Sequence, residues 1–286
     1  LKRNGKLIRK IETFRDNDKL LLADGSQTVI WRIFEDRFDA SAIEMRRRYG
    51  GIIETKRQSL VKIAVPDDPT VSGLLYAFLP SETMTGLPFH INAGFYPSPD
   101  RKRIIFGDGF KAEWNELAIK CATETLANNC DEVLGIFNNQ DFWEFAERVK
   151  KASTKDELSP EFSQFWELLK PEIRNNKTVL TSSNQIIIPS DAIFLDTKEL
   201  INGEKIFENL EMNIVHSDLR SRQNLLLETG VQNLRLSDVC NSFIEKGFTQ
   251  RQEMSSMPEG LKSLEGWEVL WEAIQDLWNR SYSSER

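Results

Sequence analysis

The segment 74–115, LLYAFLPSETMTGLPFHINAGFYPSPDRKRIIFGDGFKAEWN, carries the pattern from which the fold of this chain is predicted. Two apolar runs, 74–79 and 89–95, are separated by a stretch containing Gly86 and Pro88. A basic loop, 101–103, follows and leads into a helical pattern. Because short apolar runs bounded by glycine and proline are typical of strands, the segment predicts two strands, an exposed basic loop and a helix.

The residues before this segment have the same mixed character. Strand-like runs occur at 6–14, 19–23, 29–34 and 60–65, and a short helical pattern occupies 40–49. We therefore predict an α/β (α+β) fold in which a mixed sheet is flanked by helices.

After residue 112 the pattern becomes mainly helical. Helices are predicted over 112–128 and 141–150, the second with Asp141 as its N-cap, and another is predicted to begin near Pro160. The polar run 150–157 is the best linker candidate. The predicted domains are therefore 1–150, an α/β domain ending in helices, and 151–286, a second, smaller and mainly helical α+β module.

Within the second module a hairpin is predicted from 178–180 and 186–188, and Ser237 is the predicted N-cap of a helix. The last helix places large apolar residues at steps of three and four, which predicts a core-facing stripe. Its members are Leu261, Leu264, Trp267, Trp271, Ile274 and Trp278. Exposure of part of this stripe would indicate a missing neighbour.

Composition excludes several classes of protein. The chain has 286 residues, 40% of them hydrophobic, and a formal net charge of −7. This charge argues against nucleic acid as a partner, since a general nucleic-acid coat needs excess lysine and arginine. No apolar run is long enough to span a membrane and no signal peptide opens the chain, so no membrane partner is expected. The start at Leu1, directly in a strand-like pattern, suggests a piece of a longer polypeptide.

The residues that usually carry chemistry are sparse. Three cysteines without paired spacing predict reduced, partly buried thiols in a cytoplasmic protein, and the two histidines have no ligand partners at zinc spacing. No metal site is therefore expected. The chain has no P-loop and no dinucleotide fingerprint, so it is not expected to hold a nucleotide unaided.

Arg101 remains, with two interpretations. It is a surface arginine beside Asp100, or it is an arginine held by its loop so that its planar fork faces a γ-phosphate in a neighbouring domain. Ser98-Pro99 stiffens the approach to the loop, and the apolar run 104–106 anchors its far side. The residues alone do not decide between the two interpretations.

A resemblance favours the second one. The text 78–80 (FLP), 85–92 (TGLPFHIN), Phe95, Ser98, Arg101 and the pair Trp114-Asn115 is similar to the segment that follows the ATP-binding domain in sacsin-like proteins. More distantly it resembles the ninety-kilodalton heat-shock chaperones. Both belong to the gyrase, chaperone, histidine-kinase and mismatch-repair (GHKL) ATPase superfamily.

The resemblance implies a role for four residues. Arg101 is the best match to the arginine that reaches the nucleotide, with Arg103 as second choice, while Asn92 and His90 are implied to shape a loop near the domain interface. For His90 a structural role is favoured over a catalytic one. The implied cofactor is ATP with Mg, bound by a preceding domain in cis. The implied partners are that domain, a second copy in a homodimer, and a client protein.

The expected function is therefore that of a middle, transducer region of a chaperone-like ATPase, inactive as this chain alone. One alternative is a non-catalytic protein-interaction module, whose surface would include the last helix. Another is part of a nucleic-acid-directed defence or repair ATPase, for which the clusters 46–48 and 101–103 would have to share a face.

Overall fold

The computed structural model describes residues 2–3, 6–7, 11–16, 19–24, 27–154, 160–195, 207–208, 210–245 and 257–283. Contacts divide the chain into two compact units, Leu1–Glu172 and Ile173–Arg286. A domain boundary at residue 150 stays a prediction. Residues 150–153 of the candidate linker are helical, Thr154 is the C-cap of that helix, and 155–157 lie outside the described residues.

A seven-stranded sheet forms the centre of the first unit. Its strands lie in the order β3-β4-β5-β6-β9-β7-β8, and every neighbouring pair is antiparallel except β7 and β9, which run parallel. The strands are β3 (Ile11–Asp16), β4 (Lys19–Asp24), β5 (Gln27–Arg37), β6 (Leu60–Pro66), β7 (Leu74–Ala77), β8 (Leu79–Met84) and β9 (His90–Ala93). A two-stranded ladder, β1 (Lys2–Arg3) and β2 (Lys6–Leu7), precedes it. The predicted mixed α/β class is confirmed.

One face of the sheet is buried under helices. Along β6 the side chains alternate, so that Val61, Ile63 and Val65 are buried while Lys62 and Ala64 are partly exposed. The alternation is the period of two that a half-buried strand requires. Helix α2 (Phe110–Asn128) packs on β5 and β6 and buries Trp114, Ala118 and Ala122. The other described helices that begin in this unit are α1 (Asp39–Arg48), α3 (Cys130–Leu134), α4 (Asn139–Ser153) and α5 (Gln164–Asn175). A 3-10 turn, Pro160–Ser163, precedes α5, and the boundary between the units falls within α5.

Helix α4 begins earlier than predicted. Asn138 is its N-cap, and the Asn138 side chain accepts a hydrogen bond from the backbone N–H of Asp141 at 2.9 Å. Asp141 as N-cap was therefore wrong, because it occupies the third helical position, where its carboxylate accepts from the Asn138 amide at 2.6 Å. The Asn138 side chain thus satisfies one free N–H group of the first turn, and the Asp141 carboxylate holds the Asn138 amide in place.

Strand β8 has no counterpart in the prediction. The apolar run 74–79 breaks at Phe78, which has a left-handed backbone (φ 71°) and lies 90% exposed between β7 and β8. The polar strand β8 contains Pro80, which lacks an N–H group and is tolerated because β8 is the last strand of the sheet.

The second unit contains small sheets and helices. The predicted hairpin is confirmed as β10 (Val179–Leu180) paired antiparallel with β11 (Ile186–Ile187). Strands β12 (Ile193–Phe194) and β13 (Gln232–Asn233) are parallel. Among the described residues of this unit, the α-helices are α6 (Gln223–Thr229), α7 (Leu236–Glu245) and α8 (Leu264–Ser283). Because α7 begins at Leu236, Ser237 lies inside it, and the prediction of Ser237 as N-cap was wrong.

The core-facing stripe of the last helix is also corrected. Helix α8 buries Leu270, Ala273 and Leu277, and Trp267 and Ile274 pack only partly against the same core. Three members of the predicted stripe, Leu264, Trp271 and Trp278, are exposed. The steps of three and four are present, but the buried arc is turned away from the one that the tryptophans suggested.

Two further observations concern the whole chain. Among the described residues, no helix has the combined length and apolar character that crossing a bilayer requires. The three cysteines are free thiols: Cys121 and Cys130 are buried, which raises the pKa of the former to about 11 and of the latter to about 12, and Cys240 is exposed.

Candidate functional site

The loop that carries Arg101 is closed by backbone hydrogen bonds at its base. Pro97 and Ile104 form an antiparallel bridge, and the Ser98 N–H donates to the carbonyl oxygen of Arg103 at 2.7 Å. Inside this closure the Arg101 N–H donates to the Ser98 carbonyl oxygen at 2.8 Å, which makes a tight turn with Pro99 and Asp100 at its centre. Proline at the first central position fits such a turn because its φ is already near the required value.

Two short side chains brace the turn from within. The Ser98 hydroxyl donates to the Asp100 carboxylate at 2.5 Å and accepts from the Arg103 N–H at 3.0 Å. The Asp100 carboxylate also accepts from the Lys102 N–H at 3.1 Å. The hydrogen bond from Ser98, followed by the one from Lys102, lowers the pKa of Asp100 below its usual value. The carboxylate beside Arg101 therefore stays charged and is engaged with the turn.

Arg101 sits at the tip of the braced turn. Its backbone is left-handed (φ 60°), and its side chain is exposed. Left-handed backbone costs a non-glycine residue on the order of 1 kcal/mol, so the surrounding hydrogen bonds must impose it. Within the described residues, neither the Arg101 nor the Arg103 side chain forms a hydrogen bond or ion pair. Both guanidinium groups are thus available to a ligand from outside.

The base of the loop is held by the start of helix α2. The buried Asn115 amide oxygen accepts from the Tyr96 N–H at 2.7 Å, and its NH₂ group donates to the carbonyl oxygens of Tyr96 and Ile105 at 2.9 and 2.7 Å. The Trp114 indole N–H donates to the Gly94 carbonyl oxygen at 3.0 Å. The pair Trp114-Asn115, which the sequence offered only as part of a resemblance, therefore ties both arms of the arginine loop to a buried helix.

The loop also lies along the last strand of the sheet. The Glu82 N–H donates to the Lys102 carbonyl oxygen at 2.6 Å, and the Lys102 ammonium is 3.3 Å from the Glu82 carboxylate. The Ile104 N–H donates to the Thr83 hydroxyl at 3.1 Å. Strand β8 and helix α2 together fix the position of the turn.

His90 lies on strand β9 and is engaged within the fold. Its Nδ1 accepts from the Leu74 N–H at 2.9 Å, its ring stacks on Trp31 with centroids 4.7 Å apart, and Tyr76 approaches it edge-on. Burial lowers the pKa of His90, which favours the neutral ring that such an acceptor needs. His90 thus fixes the start of strand β7 and does not approach the arginine loop through any of these contacts.

Asn92 lies on the same strand, exposed, in the floor of a cleft of about 510 Å³. The cleft has three basic side chains, Lys56, Arg57 and Lys62, and the exposed ring of Phe78 in its walls. Lys62 is 2.5 Å from the Glu35 carboxylate. The structure therefore places Asn92 in a strand-borne cleft rather than in the turn that holds Arg101.

The wall of this cleft contains a partly buried network of hydrogen bonds that the sequence analysis did not predict. Arg57 donates to Glu54 and to the carbonyl oxygens of Gly94 and Phe95, and its guanidinium lies 3.5 Å from the centroid of the Tyr96 ring. The hydrogen bond from Arg57, followed by one from the Tyr96 hydroxyl, lowers the pKa of Glu54 to about 2. Arg57 is thereby committed to holding the loop 54–58 against the end of β9.

The other basic cluster is used largely inside the fold. Arg46 donates to the Arg57 carbonyl oxygen at 2.6 Å and lies over the Trp114 ring, while Arg48 pairs with Glu113 and lies over Tyr49. Of the three arginines in the cluster 46–48, two therefore have partners within the fold, which reduces the positive charge available to a ligand.

A comparison with protein-family models, with curated proteins and with solved structures finds no match to this chain. Among the described residues, no group of three or more histidine, cysteine, aspartate or glutamate side chains is placed to hold a metal ion. The strongest functional feature on the described surface is thus the braced turn with its unpaired arginines.

Proposed function

We propose that this chain is the middle, transducer region of a cytoplasmic sacsin-like or heat-shock-chaperone-like ATPase. In this proposal Arg101 reaches the γ-phosphate of ATP, which is bound with Mg in a preceding domain of the same polypeptide. The observation that carries the proposal is the conformation of Arg101, exposed at the tip of a turn that is held from three sides.

The chemistry of the guanidinium supports this role. Its planar fork can donate two parallel hydrogen bonds to phosphoryl oxygens, and its charge offsets the negative charge that develops during phosphoryl transfer. A rigid presentation matters because the arginine then needs little reorganisation when the two domains meet. The Asp100 carboxylate is occupied by Ser98 and Lys102, which leaves Arg101 free for an anion.

Nucleotide state would set the arrangement of the two domains. A contact from Arg101 to the terminal phosphate exists only while that phosphate is present, so hydrolysis would release it and change the domain arrangement. The same change would alter contacts with a second copy in a homodimer and with a client protein, as the resemblance implies.

The test is ATP turnover by the full-length protein, measured as steady-state phosphate release. We expect Arg101→Ala to lower kcat by roughly a thousandfold, because an arginine at the transferred phosphoryl group contributes on that order. Arg101→Lys should recover little, since an ammonium group lacks the planar fork.

Two variants serve as controls. Arg47→Ala removes another exposed arginine, on helix α1, and should leave turnover unchanged. A collapse for Arg103→Ala with normal turnover for Arg101→Ala would move the role to Arg103. Normal turnover in both variants would remove the proposed function.

A second candidate function is a non-catalytic interaction module, favoured by apolar side chains on the outer strand. Phe78, Leu79 and Met84 are 90%, 58% and 66% exposed along or beside β8. Such a patch is more typical of a protein-binding surface than of a bare sheet edge. Client binding by the full-length protein that is insensitive to ATP and to Arg101→Ala, but lost in Phe78→Ala, would favour this candidate.

A further inference from the structure

Helix α8 exposes a straight stripe of large apolar side chains. Leu264, Trp271 and Trp278 are 76%, 61% and 51% exposed. Their spacing of seven residues is close to two full helical turns, so the three side chains align along one face over about 21 Å. We name this face, Leu264 with Trp271 and Trp278, the tryptophan face.

The tryptophan face is additional to the one that stabilises the fold. Leu270, Ala273 and Leu277 on the opposite side of the helix fill the core, together with Leu261 before it. Large apolar side chains that stay exposed in line cost hydration free energy. Tryptophans are also the residues most often found to dominate binding energy in protein interfaces.

Acidic side chains flank the tryptophan face on one side. Glu265, Glu268 and Glu272 are exposed, and none of them forms an ion pair with another described residue. At 100° per residue, Glu268 and Glu272 lie beside the stripe on the same flank of the helix. Gln275 and Asn279 continue this flank toward the C-terminal end of α8. The one cation of α8, Arg280, pairs with Asp276 on the same helix.

This distribution of charge decides between occupants. A second copy that packed the same face against this one would bring three more carboxylates and, from this helix, no cation that is not already paired. A partner with apolar residues in a stripe and arginine or lysine beside it satisfies both features. Arginine suits the site doubly, since it can pair with the glutamates and stack on the indole rings.

We propose that the tryptophan face binds an amphipathic helix of a partner protein whose apolar stripe is flanked by basic residues. The tryptophans and Leu264 supply the apolar contact, and the glutamates select the basic flank. This inference is independent of nucleotide binding and of Arg101.

The test uses two synthetic helical peptides of about 18 residues, long enough to cover the face. They share one leucine stripe and differ only in the flank, which is lysine and arginine in one and glutamate in the other. Binding to the 286-residue chain is measured by calorimetry. We expect the basic peptide to bind at least about tenfold more tightly, and Trp271→Ala to weaken that binding by about tenfold or more.

Charge reversal provides the second arm. Glu268→Lys combined with Glu272→Lys should invert the preference between the two peptides, a result that a structural role of the tryptophans would not produce. Ile43→Ala and Glu44→Lys, at exposed positions of helix α1, are the matched controls and should change neither affinity. Circular dichroism and thermal unfolding check that each variant is folded.

Two results would overturn the proposal. One is equal binding of both peptides to the unchanged chain. The other is a dimer of the chain alone, detected by sedimentation, that Trp271→Ala converts to monomer, since the tryptophan face would then be occupied by a second copy.

Discussion

At the scale of single residues, one amide organises the candidate site. Asn115 is completely buried and satisfies three backbone groups, two on Tyr96 and one on Ile105. These groups lie on the two arms of the loop that presents Arg101, so the amide sets the distance between the arms. No other residue type of similar size offers one acceptor and two donors in that geometry.

Asn115→Ala is expected to lower the free energy of unfolding by about 2 kcal/mol or more, because it removes the partners of the Tyr96 N–H and of the Ile105 carbonyl oxygen and leaves the Tyr96 carbonyl oxygen with one donor, the Ile105 N–H. Urea unfolding of the 286-residue chain measures this change. Asn92→Ala removes an amide that is exposed and should cost less than about 0.5 kcal/mol. Equal losses in the two variants would contradict the organising role of Asn115.

The role of a single residue could be predicted from the sequence only where its contact partners are close to it along the chain. The placement of Arg101 in a stiffened loop followed from Ser98, Pro99 and the apolar run after it. The function of Asn115 did not, because its partners lie 19 and 10 residues away and face it only once the sheet has formed. The contact of Tyr96 with Glu54 and Arg57 was missed for the same reason, since Tyr96 is 42 residues from Glu54.

At the scale of elements, Gly94 marks the point where loop 54–58 lies directly on the end of β9. A Cβ atom at Gly94 would lie 2.3 Å from the Gln58 carbonyl oxygen, which is backbone and cannot rotate away. The Gly94 carbonyl oxygen also accepts hydrogen bonds from Arg57 and Trp114. The loop and the strand end therefore cannot separate without losing several contacts.

Gly94→Ala should accordingly cost about 2 kcal/mol or more, as overpacking against fixed backbone usually does. Gly135→Ala is the matched control, since its added methyl would make only ordinary contacts of 3.4 Å or more. Thermal unfolding of both variants checks the difference. A Gly94→Ala variant as stable as the parent would mean that loop 54–58 can shift to accommodate the methyl group at little energetic cost.

Elements were predicted well where their periodicity was strong and poorly where tertiary context decides. The buried alternation of β6 and the apolar face of α2 follow from local pattern. Strand β8, with its proline and polar residues, is stabilised by pairing with β7 and by the arginine loop, neither of which a local pattern shows. In α8 the apolar residues cover more than half of the helix circumference, so spacing alone could not tell which part of that arc is buried.

At the scale of the whole molecule, the sequence has no P-loop and no dinucleotide fingerprint, and in the proposed function Arg101 contacts a nucleotide that a preceding domain binds. We therefore expect the 286-residue chain alone to release no phosphate from ATP above a no-protein control. A sensitive phosphate-release assay on the purified chain tests this. Turnover that Arg101→Ala abolishes in the isolated chain would contradict a nucleotide bound by a preceding domain.

The position of the arginine turn beside β8 has a consequence for solubility. A terminal strand exposes a free row of amides and carbonyls to any extended polypeptide nearby, which is how stacking into aggregates begins. Here Pro80 removes one donor, and the hydrogen bond from Glu82 to Lys102 occupies another. The turn therefore protects the edge strand from pairing with other chains, in addition to presenting the Arg101 side chain. Deletion of residues 98–103 would remove Arg101, and it would also uncover the edge of β8. Molecules could then associate along that edge, and the resulting aggregation would precede any measured loss of activity.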